Sequence, residues 1–252
     1  MPARRTIDDV LRELNAIVDD SVEHGGRIGY FTALYARVTS NVRRAILAGR
    51  VFDDDARMER LDVVFADRFL DAWRARREGK PLTRSWRQVF EALDDPGVLV
   101  IQHLLMGMTA HIRLDLGVAA AEVGVTPEGL RALHADFLRI NDVLARLVGV
   151  VEAQIQTFSP RLGRFTEFAP HLQRRIFDFG MESARDEAWE LARALVDLPL
   201  ADRPRRIHNA DERVACQIRE IHPVAPALDP VVRWIHDEER KLVRFNVQVL
   251  AS

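Results

Sequence analysis

Apolar residues recur along most of the chain at the three- and four-residue spacing of an amphipathic helix. The segment between Ile7 and Val22 shows the pattern first. Its apolar face consists of Val10, Leu11, Leu14, Ile17 and Val18. Such spacing is what a helix needs to bury one side against a core. We find no stretch with the period-two alternation that is typical of a half-buried strand. The pattern therefore predicts an all-α fold.

Local signals predict where these helices begin and end. Gly25 follows the first apolar run and suits a left-handed helix end. An aspartate within residues 53–55 is placed to cap the third helix. Thr126 and Pro127 form a cap and a first helical residue, so a long helix is expected from Pro127 to Phe158, where Pro160 follows. The helices are therefore separated by short connections, as in a multi-helix bundle.

The most apolar segment, Val98–Val123, predicts a helix at the centre of the bundle. It contains the ionisable residues His103, His111 and Asp115, which would be costly in lipid. We therefore interpret it as a buried helix of a soluble protein and expect no membrane span. Residues 1–252 are predicted to form one domain. The tail, residues 205–252, is too short for a core of its own and is expected to pack on the bundle.

The composition and charge of the chain exclude several classes of function. Hydrophobic residues make up 48% and charged residues 29% of the chain, which is ordinary for a globular protein. The net charge of −2 provides no basic field, so we expect no binding to nucleic acid. One cysteine, Cys216, excludes an internal disulfide and a cysteine-based zinc site. The N-terminus lacks the apolar core of a signal peptide, which predicts a cytoplasmic location.

The central helix carries the strongest chemical signal. His111 and Asp115 are separated by four residues and so lie on one stripe of a regular helix. Gly107, one turn earlier, would let another group approach closely. His103 lies two turns before His111, about 12 Å along the axis. A single ion could therefore bind His111 and Asp115, whereas His103 could not easily join them.

Other segments each place a polar residue near an apolar face. Asp62 lies beside Leu61 on the third helix, and Asp136, Asn141 and Arg185 lie on later helices. Acids on apolar faces should meet compensating partners, because a buried unpaired carboxylate is costly. We therefore predict one interior pocket that is lined by four residues and has Asp136, Asn141 or Arg185 on its wall. The four lining residues are Asp62, His103, His111 and Asp115.

Three strings carry a family resemblance: VFDDDARMERLDVVFADRFLDAW, QHLLMGMTAHIRLDLGVAA and LHADFLRINDVLARL. They resemble an uncharacterised bacterial family of all-helical proteins, classed as a domain of unknown function, over roughly residues 29–195. His111 and Asp115 are also similar to the His-x-x-x-Asp pair of zinc-dependent phospholipase C and the S1/P1 nucleases. That second resemblance implies a zinc site. The further histidine of those enzymes is absent here, so it implies at most a smaller site.

Two functions follow from these residues. In the first, the protein is a metal-dependent, hydrolase-like enzyme acting on a small molecule or phosphoester. A divalent ion (zinc, iron or manganese) would bind Asp62, His111 and Asp115, while His103, Asp136 and Arg185 would act in catalysis. In the second, the same residues form a buried polar network in a non-catalytic ligand-binding or scaffolding protein. The sequence favours the enzyme slightly. An arginine such as Arg113 or Arg185 turned inward would neutralise the acids and favour the second function.

Overall fold

The computed structural model describes residues 5–162, 181–222, 229–239 and 242–252. All regular elements within these ranges are helical, which confirms the predicted all-α fold. The helices are α1 Ile7–His24, α2 Ile28–Ala48, α3 Asp55–Arg77, α4 Arg84–Ala92, α5 Val100–Ala110, a π-helical turn His111–Asp115, α6 Leu116–Gly124, α7 Pro127–Phe158, α8 Met181–Val196, α9 Arg203–Ile221, α10 Asp229–Glu238 and α11 Val243–Ala251.

Side-chain caps begin several helices where the sequence predicts them. The Asp54 carboxylate accepts a hydrogen bond from the Arg57 backbone at 2.8 Å at the start of α3. The Thr126 hydroxyl accepts one from the Gly129 backbone at 3.2 Å at the start of α7. Gly25 ends α1 with a φ of 74°, a left-handed conformation that other residues rarely adopt. Local capping therefore sets the lengths of the helices.

α5, the π-helical turn and α6 form one continuous central helix, Val100–Gly124. It begins two residues later than predicted, after Leu99 in an extended conformation. Within the π-helical turn, the Leu116 N–H donates to the carbonyl of His111, five residues earlier instead of four. Such a turn inserts one residue into the helix and changes the direction of the side chains around it. The regular-helix geometry assumed for His111 and Asp115 is therefore altered.

The central helix is covered by neighbouring helices, as predicted. It packs against α2, α3, α4, α7, α8 and α9. Its composition and length would suit a membrane span, but 78% of its most apolar window is buried inside the protein. Gly107 makes the predicted close contact, since a Cβ there would lie 2.6 Å from the Phe31 ring. A Cβ at Gly117 would lie 2.6 Å from the Ala188 carbonyl oxygen.

The C-terminal residues contact the bundle through a helix and through single side chains. α11 packs against α1, α2 and α7. Just after α10, the buried Glu239 accepts hydrogen bonds from the Val100 backbone N–H at 3.2 and 3.3 Å. An acid at this position suits the positive end of the helix dipole. Burial nevertheless raises the pKa of the Glu239 carboxyl to about 7. The start of the central helix is thus tied to the end of the chain.

Candidate functional site

A cavity of about 350 Å³ lies between the central helix and helices α2, α3, α7 and α8. We call it the central cavity. Its walls are mainly aliphatic and aromatic side chains that come from two separate hydrophobic clusters of the core. A few polar side chains interrupt this lining. They are Tyr35, Asp62, His111, Asn141, Glu152, Glu182 and Arg185.

His111 lies in the π-helical turn and is held from two sides. Its ring stacks on Phe65 with the centroids 3.7 Å apart, and it meets Tyr35 edge-on at 4.5 Å. Its Nδ1 lies 3.1 Å from Asp115 Oδ2. Burial lowers the pKa of the imidazole, against the opposing effect of Asp115, so the ring is neutral at pH 7. Because a carboxylate can only accept, Nδ1 carries the proton and Nε2 presents a lone pair.

Asp115 is saturated with hydrogen bonds instead of facing the central cavity. Its Oδ1 accepts from Arg68 Nε at 3.1 Å. Its Oδ2 accepts from Trp86 Nε1 at 2.9 Å and from His111. The residue is 1% exposed, so the carboxylate depends on these partners for compensation. Asp115 thus fixes the orientation of His111, as a carboxylate often does for a functional histidine.

An arginine does neutralise this acid, but it is neither of the two that the sequence suggested. Arg68 of α3 supplies the charge. Arg113 instead pairs with Glu187 of α8. Arg185 has no ion pair with Asp115 among the described residues. The spacing of residues within one helix could not reveal the Arg68 contact, because Arg68 lies 47 positions before Asp115.

Asp62 is a buried carboxyl group that lines the central cavity from α3. It is 8% exposed, and its Oδ2 has no hydrogen-bond partner in the part of the chain that the structure describes. Burial, with a smaller contribution from the charge of Glu59, raises the pKa of Asp62 to about 8. The group is therefore largely protonated at neutral pH. In that form it can donate a hydrogen bond to a molecule in the cavity.

Arg185 of α8 and Asn141 of α7 line another part of the wall. The Arg185 guanidinium carbon lies 4.3 Å from the centroid of the Phe137 ring, and one of its N–H groups donates to the Phe137 carbonyl. The arginine is 5% exposed, and its Nε has no acceptor within the described ranges. Asn141 Oδ1 also lacks a donor there. Both residues lie on the cavity wall, as the sequence predicted.

Two other predicted site residues lie outside the cavity lining. His103 is 3% exposed and packs on Tyr30 with the ring centroids 5.6 Å apart. Burial lowers its pKa to about 3, and neither ring nitrogen has a partner among the described residues. The predicted burial of His103, His111 and Asp115 is confirmed. Their convergence on one pocket is not observed, because His111 alone of the three lines it.

Asp136 also serves a contact away from the cavity. Its carboxylate accepts hydrogen bonds from the Asp53 and Asp54 backbone at 2.7 and 3.1 Å. It also pairs with Arg57 at 3.0 Å and with Arg139 at 2.7 Å. These contacts join the segment before α3 to α7. The proposed catalytic roles of Asp136 and His103 remain predictions, and neither residue contacts the cavity.

Two of the three predicted metal ligands line the same cavity. Asp62 and His111 line the central cavity and have an unpaired oxygen and nitrogen, respectively. Asp115 is occupied by its three donors. Within the described residues, no group of three or more His, Cys, Asp or Glu side chains could hold a metal ion. Of the predicted set, two residues are therefore suited to contact an ion, and the bound metal itself stays a prediction.

Sequence reasoning did not single out Tyr35, Phe65, Arg68 or Trp86. All four contact His111 or Asp115. A signal existed for Trp86, since a tryptophan on an apolar helix face needs an acceptor for its indole N–H. No comparable signal marks Arg68, which lies between Asp67 and Asp71 in a strongly charged stretch.

Comparison with known proteins identifies a family for the chain but gives no activity. The model of a family of unknown function (DUF5995) matches residues 7–223. This range includes every residue that lines the central cavity. No curated protein and no solved structure matches the chain. The likeness to zinc-dependent phospholipase C and the S1/P1 nucleases is therefore not shown and stays a prediction.

Proposed function

The chain belongs to this family of unknown function, DUF5995, and we propose that it binds an apolar small molecule in the central cavity. A volume of about 350 Å³ is within the range of roughly 300–1,000 Å³ that is common for ligand pockets. A mainly apolar lining with a few polar atoms is also typical of such pockets. This corresponds to the ligand-binding alternative that the sequence left open.

The observation that carries the proposal is the set of polar atoms left without partners on the cavity wall. They include Asp62 Oδ2, His111 Nε2, Asn141 Oδ1 and Arg185 Nε, considered among the described residues. Nearly all buried polar atoms in folded proteins have a partner, because leaving one unpaired is costly. A ligand with a polar group would supply these partners. Its apolar part would fill the space between the core clusters.

Filling the cavity is expected to abolish binding of an apolar probe. Leu144 lines the cavity from α7, so a Leu144→Trp substitution places a larger side chain in it. We expect the wild-type protein to bind the neutral dye Nile red with a rise in fluorescence. We expect the variant to bind it at least about tenfold more weakly, because the added ring occupies the space that the dye needs. A fluorescence titration measures both affinities.

The matched control is Leu138→Trp on the same helix. Leu138 is 43% exposed and does not line the cavity, so this variant should bind Nile red like the wild type. Circular dichroism would verify that both variants keep their helical content. Equal dye binding by the wild type and Leu144→Trp would contradict the proposal, as would a complete lack of binding by the wild type.

A second candidate function is catalysis through His111, with or without a metal. The observation that favours it is the Asp115–His111 hydrogen bond, which leaves a neutral imidazole with a lone pair on Nε2. Such a nitrogen can act as a general base or as a metal ligand. The metal-dependent form of this proposal gives His111 and Asp62 as ligands and Asp115 as the residue that orients His111.

Elemental analysis distinguishes this candidate from ligand binding alone. If His111 binds a metal, the purified protein should contain about one divalent ion per chain, and His111→Gln should lose it. His103→Gln is the control, because His103 is equally buried on the same helix but does not line the cavity. A wild-type protein without metal that still binds Nile red would reject the metal-dependent function and leave the binding function standing.

A further inference from the structure

The central cavity follows α7 over much of that helix. Its lining residues on α7 extend from Phe137 to Ile155, a rise of about 27 Å along the helix axis. We call the part of the cavity along this helix the channel. The hydrocarbon core of a bilayer, two acyl chains thick, is about 30 Å. The channel is therefore long enough for one extended acyl chain.

The Phe137 end of the channel contains a buried positive charge. Arg185 is 5% exposed, and no carboxylate pairs with it in the described ranges. Its contacts there are the carbonyl and the ring of Phe137. Burial lowers the pKa of Arg185 to about 10, which leaves the guanidinium charged at neutral pH. An isolated buried charge is costly unless an opposite charge compensates it.

Other arginines that reach buried acids in this protein are paired. Arg57 pairs with Asp136, and Arg68 pairs with Asp115. Arg185 differs from them because it lines the cavity without an ion pair among the described residues, although Glu182 lines the wall about one turn before it. The position that an acid would take is therefore available to a ligand, and the planar guanidinium suits a carboxylate in particular.

Arg185 and the polar groups around it indicate the charge and direction of the ligand. One arginine balances one negative charge, so a monoanion fits better than a doubly charged phosphate. Acids line the cavity both near Ile155 (Glu152) and near Arg185 (Glu182), so the direction of the ligand is set by the buried guanidinium of Arg185. Near Arg185, Asn141 provides a neutral amide on the wall. The anionic group is thus favoured at the Phe137 end, with the apolar part extending toward Ile155.

We propose that the ligand of the central cavity, whose existence rests on the binding function proposed above, is an elongated monocarboxylate with its carboxylate on Arg185 and its apolar chain along α7. Long-chain fatty acids have this chemistry. The cavity would exclude the alkyl chain from water, while the guanidinium would compensate the charge. No covalent step is involved.

Two probes of equal length separate the contribution of the charge from that of the chain. Hexadecanoate and hexadecanol are titrated separately into the full-length protein with bound Nile red. We expect hexadecanoate to displace the dye at a concentration roughly 10- to 100-fold lower than hexadecanol requires, because a charge-assisted pair stabilises only the acid. This comparison needs no variant, so it stands even if a substitution at Arg185 disturbs folding.

Substitution then assigns the effect to Arg185. In Arg185→Gln, the preference for hexadecanoate over hexadecanol should disappear, while Nile red still binds. Arg185→Lys should show an intermediate preference, because it keeps the charge but loses the planar pair of donors. The control is Arg193→Gln on the same helix, an exposed arginine paired with Glu190, which should behave like the wild type.

The outcomes separate failure of this proposal from failure of the binding function. If Nile red binds but both probes displace it equally, or neither displaces it, the cavity binds an apolar molecule of another class and the monocarboxylate is wrong. A preference for hexadecanoate that persists in a folded Arg185→Gln would also overturn the role of Arg185. If Nile red does not bind the wild-type protein, the proposed binding function itself is wrong.

Discussion

Replacing Asp115 with alanine is expected to lower the free energy of unfolding by about 3–5 kcal/mol, because it leaves a buried ion pair broken. Asp115 compensates Arg68 of α3 and accepts from Trp86 of α4 and from His111 of the π-helical turn. Its loss would leave the Trp86 indole N–H and the His111 Nδ1–H without an acceptor in the core. Chemical denaturation followed by circular dichroism measures the change.

An exposed aspartate provides the control for this measurement. Asp71 of α3 has a side chain that is 68% exposed and pairs with Arg74 at 3.0 Å. Asp71→Ala is expected to change the free energy of unfolding by less than about 1 kcal/mol, as is usual for surface pairs. If Asp115→Ala lowered the free energy of unfolding no more than Asp71→Ala does, the three contacts of Asp115 would not be what holds α3, α4 and the central helix together.

A double substitution tests whether the loss comes from Arg68, whose other ion pair is with the exposed Glu122 at 3.6 Å. Removing both charges, in Asp115→Leu with Arg68→Met, should be less destabilising than Asp115→Leu alone, because no buried charge then lacks a partner. The same loss in both variants would assign the effect to Trp86 and His111 instead.

The fold could be predicted from the sequence because its signals are local. A cap such as Thr126, followed by Pro127, acts within one helical turn and needs no information from distant residues. The apolar stripe of each helix likewise shows which face is buried. The π-helical turn carries no such signal, because its extra residue is accommodated by packing around His111 and Asp115. The sequence therefore located the central helix but not the altered turn within it.

The sequence could predict which residues belong to the site, but not which partners they contact in the folded protein. Burial of Asp62 and His111 followed from their positions on apolar faces, and both line one cavity together with Arg185, whose burial the sequence did not indicate. Their partners depend on how separate helices pack, which spacing within a helix does not contain. Asp115 is the clearest case, since its charge is balanced from α3. Cavities arise from packing in the same way, so neither the length nor the charge of the channel could be read from the sequence.

Asp62 is expected to lower the stability of the folded protein, whereas Asp115 is expected to raise it, although both are buried acids. Its pKa is raised from 3.8 to about 8, chiefly by burial. The folded protein therefore binds this proton more tightly than the unfolded chain does. Stability is unaffected below about pH 4, falls as the pH rises through the window between the two values, and is fully reduced above about pH 8. The whole reduction amounts to ~6 kcal/mol at 1.36 kcal/mol for each unit of pKa.

Asp62→Asn is therefore expected to stabilise the protein at pH 8 by a few kcal/mol while leaving its stability at pH 4 nearly unchanged. The amide keeps the shape of the carboxyl group but cannot ionise, so the difference between the two unfolding curves isolates this one group from others that titrate. Asp71→Asn, at an exposed position of the same helix, should follow the wild type throughout. A constant difference between Asp62→Asn and the wild type from pH 4 to pH 8 would contradict the raised pKa. The expected gain in the stability of Asp62→Asn at pH 8 would show that the ionised Asp62 carboxylate destabilises the folded protein. Residues that are placed for a ligand often have such a cost.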